Sequence, residues 1–323
     1  MTPSENGSSI WKQRTKDGFI TIHSDRHNKT QYELAPDFIG KWEQLRQKLG
    51  PEWKWYSEEH REIEYNFDRY GFRNNTSPDD LEDGYILLTG QSIIECIGLP
   101  WEDTVAGKLE RATGKQVYQV STTGIDSLTI LSNTINALRV LPRPSHIFTV
   151  PTSPAAAFIT LDYANDMLVN MTPAYGNLKL HLAAEHGVDL DWMTRHVDLT
   201  DILCERTGYY NQLYRQSIKI QEDICSVLGI KCTMLDMESD RPEFFDQTVP
   251  EVYTDGDWIR GTHFIPIRAN MDKLMNMQEL VTQEHINELS MEWINTRARD
   301  LVHMGEGHCQ VLVDEMIKHI EVE

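Results

Sequence analysis

The chain has 323 residues, 30 Lys and Arg against 50 Asp and Glu, and a net charge of −20. That length suits one large domain or a domain with an extension, and the charge opposes a nucleic-acid partner, which requires a basic face. No apolar run approaches the ~20 residues of a membrane-spanning helix, and residues 1–12 are polar with no signal-peptide core, so no membrane partner and a cytoplasmic location are expected.

Residues 1–82 read as an extension rich in tryptophan, with Trp11, Trp42, Trp53 and Trp55. A helix is expected over residues 36–50, with Phe38, Trp42 and Leu45 on one face. Packing in a core is the ordinary role for such a face; stacking on sugar rings is the functional alternative. Tyr70-Gly71-Phe72-Arg73 precedes a turn-rich, acidic stretch, residues 74–84, that opens a second unit, residues 83–323.

From Tyr85 the pattern changes. Residues 85–89 form an apolar run without alternation, as in a strand buried on both faces. A helix is expected from Pro100 to Gly114, a strand over 116–120, and a helix capped by Asp126 and running to Val140. Another strand spans 146–150. Strands alternating with helices predict an α/β fold with a parallel sheet. Further on, residues 201–228 predict one long helix and 230–235 a fourth strand. Residues 238–261 read as a long irregular segment, of the kind that serves as a lid. Helices are expected over 271–299 and 305–320. The five cysteines are odd in number and lack any CxxC, which fits free thiols in a reducing compartment.

Two segments carry chemistry. Gly90-Gln91-Ser92 lies at the carboxyl end of the first strand of the sheet, where sites form in α/β proteins. Asp300-Leu301-Val302-His303 sets a carboxylate three residues before an imidazole. At that spacing the carboxylate can hold Nδ1–H, leaving Nε2 to take a proton from a serine hydroxyl. The alternatives are a helix-capping serine and a surface loop. A zinc site at His303, Glu306 and His308 matches no H-E-x-x-H pattern and lacks a clear open fourth ligand, and neither phosphate-binding glycine motif occurs.

Together these stretches resemble the SGNH/GDSL hydrolase family. The matching segments are Tyr85-Ile86-Leu87-Leu88-Thr89-Gly90-Gln91-Ser92 followed by Gly98-Leu99-Pro100-Trp101-Glu102-Asp103-Thr104, Val120-Ser121-Thr122-Thr123-Gly124 and Asp300-Leu301-Val302-His303-Met304-Gly305-Glu306-Gly307-His308. The resemblance covers residues 85–320 and implies a flavodoxin-like three-layer sandwich. It implies a serine esterase or deacylase in which Ser92 is the nucleophile, His303 the general base and acid, and Asp300 its orienting carboxylate. The oxyanion would be held by the N–H groups of Ser92 and Gly124. No metal or organic cofactor is required. In this sequence Gln91 replaces the family's aspartate, and Ser153 falls where the family has an asparagine donor. Ser153 or Thr152 can donate instead, or the third donor is missing. The implied substrate is a small-molecule or glycan ester, with O-acetyl groups on carbohydrate in view. The rival reading is a catalytically weak domain of this type that serves as a binding or structural module. The sequence leaves the oligomeric state open.

Overall fold

The computed structural model describes residues 11–22, 26–34, 37–151, 158–162, 167–170, 209–236, 258–260, 291–301, 303 and 305–320. The elements up to the middle of the chain are β1 Trp11–Arg14, β2 Ile20–Ile22, β3 Lys29–Gln31, α1 Ile39–Leu49, β4 Tyr65–Phe67, β5 Ile86–Gly90, α2 Ser92–Glu95, α3 Val105–Thr113, β6 Val117–Ser121 and α4 Ser127–Val140. They are followed by β7 His146–Val150, β8 Phe158–Asp162, β9 Met167–Asn170, α5 Tyr209–Leu228, β10 Lys231–Asp236, β11 Trp258–Arg260, α6 Met291–Asn295 and α7 Glu306–Ile317.

The non-alternating apolar runs become the interior of a parallel sheet. Every residue of β5, β6 and β7 is buried, as a strand covered on both faces requires. The sheet runs β6-β5-β7-β10-β11, each neighbouring pair parallel. Ile86, Leu88, Phe148 and Val150 pack with Leu109 of α3, Trp42 of α1 and Leu312 and Val313 of α7. Their neighbours Leu87, Val120 and Ile147 pack with Ala137 of α4 and Cys225 of α5. Helices therefore lie on both sides of the sheet, and the fold is α/β.

Helix boundaries follow local capping. Asp126 Oδ1 accepts the Thr129 N–H at 2.7 Å and starts α4 where the sequence places it. Asp126→Ala is expected to cost about 1 kcal/mol, read as a lower urea midpoint; an unchanged midpoint would remove the cap from the account. The helix expected from residue 36 begins at Ile39, because Phe38 is extended (φ −123°, ψ 153°). Over residues 100–114 a 3₁₀ turn, Trp101–Asp103, comes first, and α3 begins only after Thr104, whose hydroxyl accepts the Gly107 N–H at 3.0 Å.

The long helix over 201–228 is described from Tyr209 on, and residues 201–208 lie outside the described residues. Part of the segment read as irregular, Trp258–Arg260, is a strand beside β10; residues 238–257 lie outside the description. In the expected helix over 271–299, α6 stops at Asn295. Beyond it the backbone makes other bonds: Ala298 N–H donates to His303 O at 3.1 Å and Arg299 N–H to Gly98 O at 3.0 Å. Residues 271–290 are outside the description.

The extension carries structure that its composition does not announce. β1 pairs with β2 and, far along the chain, with β9, in an antiparallel sheet ordered β2-β1-β9-β8. Asn133 of α4 anchors it, accepting the Ile20 N–H at 2.7 Å and donating to Ile20 O at 2.9 Å. Trp42, Trp53 and Trp55 are buried in the same cluster as α7. Carbohydrate stacking is therefore ruled out for these three; the Trp11 side chain lies outside the description. Among the described residues, no helix is long and apolar enough to cross a membrane.

Candidate active site

Parallel neighbours bring their carboxyl ends to one edge. Gly90 lies in register with Ser121 of β6 and Val150 of β7, so the segments after β5, β6 and β7 emerge side by side. Ser92 leads the short α2 directly after β5 and is partly exposed. Only glycine fits at position 90: a Cβ there would stand 2.8 Å from Ile94 Cγ1 and 3.0 Å from Val150 O. Gly124 lies in the loop after β6 with φ +70°. Ser153 and Thr152 lie outside the described residues.

Asp300 and His303 form the pair that their spacing predicts. Asp300 Oδ2 lies 2.5 Å from His303 Nδ1, and Oδ1 accepts the His303 backbone N–H at 3.0 Å. The carboxylate is wholly buried and the imidazole is one-tenth exposed. Burial would raise the Asp300 carboxyl, but His303 and Lys41 outweigh it and hold the pKa at about 2. For His303, burial pulls the pKa down; the Asp300 carboxylate, with help from Glu95, more than reverses this and leaves it raised. An ionised Asp300 thus fixes the proton on Nδ1, and Nε2 makes no hydrogen bond among the described residues.

This loop is docked on the segment that follows α2. Gly98, with φ +82°, leaves room for it: a Cβ would meet Ala298 Cβ at 3.0 Å and the Arg299 and Asp300 nitrogens at 3.2 Å. Two non-glycine residues take left-handed backbone nearby, Cys96 (φ 54°) at the end of α2 and Leu301 (φ 59°) between Asp300 and His303. Such conformations cost on the order of 1 kcal/mol each and persist where the surroundings impose them. No hydrogen bond joins Ser92 to His303. The structure brings them to one region through α2, whose Glu95 and the adjoining Cys96 act electrostatically on His303.

Several residues that the sequence reading passed over hold these parts. Arg73, fully buried, donates to the carbonyls of Glu95 (3.2 Å), Cys96 (2.7 Å) and Leu99 (2.6 Å), closing the carboxyl end of α2. Glu95 is also buried, with Oε1 2.8 Å from Arg26 Nη1. Its other oxygen accepts the Thr123 N–H and hydroxyl, each at 2.5 Å. A glutamate three residues after Ser92, on a segment otherwise apolar, was the available signal.

The zinc alternative gains no support from position. His303 Nδ1 is committed to Asp300, Glu306 is half-exposed and 3.7 Å from Lys54 Nζ, and among the described residues no three His, Cys, Asp or Glu side chains are grouped to hold a metal ion. What the arrangement offers is a basic imidazole of defined tautomer, in a loop packed on the segment that follows the helix led by the strand-end serine. No protein-family model and no curated protein matches the chain.

Proposed function

We propose that the protein is a serine hydrolase of the SGNH type, an esterase or deacylase on a flavodoxin-like frame. The observation that carries the reading is the buried Asp300 carboxylate gripping His303 Nδ1 in a loop packed against the segment that begins with Ser92. Counted along the chain, the order of the five sheet strands from the β6 edge is 2-1-3-4-5, which is the flavodoxin-like order and supports that frame.

Ser92 Oγ attacks the ester carbonyl while His303 Nε2 takes its proton. The tetrahedral oxyanion collapses, the ester C–O bond breaks, and the alcohol leaves with the proton from His303. Water then repeats the sequence on the acyl-Ser92 and frees the acid. The N–H groups of Ser92 and Gly124, with Ser153 as third donor, hold the oxyanion in this reading. A donor of this kind is worth about 3 kcal/mol. With Trp42, Trp53 and Trp55 in the core, an O-acetyl carbohydrate substrate rests on the family resemblance alone. The described cysteines Cys96, Cys225, Cys232 and Cys309 are free thiols, which supports a reducing compartment such as the cytoplasm.

Labelling with a fluorophosphonate, followed by mass spectrometry of the adduct, tests the reading. Adduct on Ser92, absent from a folded Ser92→Ala variant, is the expected result. Folded wild-type protein without adduct would sink it and leave the binding or structural module.

A further inference from the structure

We propose that Glu95 is a positioning residue for the oxyanion site, its carboxylate locking the loop after β6 onto the helix that carries Ser92. The inference rests on the serine-hydrolase reading and specifies how that site is held together. Glu95 lies one helical turn after Ser92 and is 1% exposed. Its Oε2 takes both donors of Thr123, backbone and hydroxyl, at 2.5 Å, and Thr123 immediately precedes Gly124.

An acid is rarely buried so fully unless it is paired. Here Arg26, itself 3% exposed, supplies the pair to Oε1 at 2.8 Å and turns Oε2 toward the loop. A carboxylate accepting N–H and O–H bonds is a stronger holder than a neutral acceptor. With both the nitrogen and the hydroxyl of Thr123 held, the residue is pinned at two points, which restrains the next peptide, the one that carries the Gly124 N–H. Oxyanion donors stabilise the transition state only to the extent that they are preorganised. One side chain thus ties nucleophile and donor into a single rigid unit. The same carboxylate acts electrostatically on His303, as do Asp300 from its own loop and Cys96 from the end of α2, and favours the imidazolium.

The experiment compares wild type, Glu95→Gln and Thr123→Ala, using p-nitrophenyl acetate turnover across pH and fluorophosphonate labelling of Ser92. For Glu95→Gln, kcat is expected to fall about 10–100-fold with KM within about twofold, the signature of a contact felt in the transition state. Loss of the negative charge lowers the His303 pKa, so the acid limb of kcat/KM moves to lower pH. Thr123→Ala keeps the carboxylate, and is expected to lower kcat less and leave that limb in place. Folded Glu95→Gln with wild-type kcat, or with its loss confined to KM, overturns the proposal. Should Glu95→Gln fail to fold, Thr123→Ala decides, and a wild-type kcat there overturns it. Wild type that neither labels nor turns over ester defeats the hydrolase reading and this inference with it. Labelled wild type beside an undiminished variant defeats this inference alone.

Discussion

Asp300→Asn is expected to lower ester turnover by about 10³–10⁴-fold while the protein stays folded, as loss of the orienting carboxylate does in serine triads. The buried carboxylate holds the proton on His303 Nδ1; an amide at this position lets the ring carry it on Nε2, where the proposed mechanism requires a lone pair. A fall of less than about tenfold would remove Asp300 from the triad.

The same pair ties stability to pH. The carboxyl moves from 3.8 to about 2 on folding, a contribution of about 2 kcal/mol. A depressed acid stabilises above its unfolded pKa, so this contribution is complete above pH 3.8 and disappears as the pH falls through about 2. For His303 the folded pKa is raised, so its side of the interaction is complete below the ordinary 6.5 and fades as the pH rises through the folded value. Both describe one attraction, counted once. Thermal unfolding from pH 5 to 2 is expected to fall more steeply for wild type than for Asp300→Asn.

Arg299→Ala is expected to destabilise the protein by about 3–5 kcal/mol, the range for breaking one side of a buried ion pair. Its guanidinium is wholly buried, with Nε and Nη2 on the two oxygens of Asp37 at 2.9 and 2.6 Å. Nη1 reaches the carbonyls of His60 and Arg61 at 2.6 and 2.7 Å. Truncation leaves a buried carboxylate without its bidentate partner and two partly buried carbonyls without this donor. Arg299→Lys is expected to recover little, because one ammonium cannot cover this planar set of acceptors. Urea unfolding measures both, and a loss below about 1 kcal/mol for Arg299→Ala contradicts the assignment.

Much of the sheet and the Asp300–His303 pair is legible because each depends on neighbours in sequence. Apolar runs bounded by glycine and proline mark β5, β6 and β7, and the pair needs only a three-residue spacing. Glu95 is different: its partners Arg26 and Thr123 lie 69 and 28 positions away, and no periodicity reports such a distance. The antiparallel sheet escapes for the same reason, since β1 finds β9 across most of the first half of the chain. Helical composition overruns α6 because nothing local reveals that the Ala298 and Arg299 nitrogens are claimed by His303 and Gly98. For the tryptophans, core packing is the ordinary expectation, but the sequence does not say against what: Trp55 Nε1 donates to Arg297 O at 3.1 Å.

That last bond spans 242 positions, and the Asp37–Arg299 pair spans 262. Contacts of such separation close late, because the chain must surrender the freedom of the whole intervening loop before they form. During synthesis, Asp37 lacks its buried guanidinium partner until residue 299 has left the ribosome. Nascent chains shorter than this hold a strand-end serine but neither the imidazole nor the segment that seats it. On the proposed serine-hydrolase reading, Ser92 would therefore gain its base only late, once residues 291–320 pack onto the extension made first.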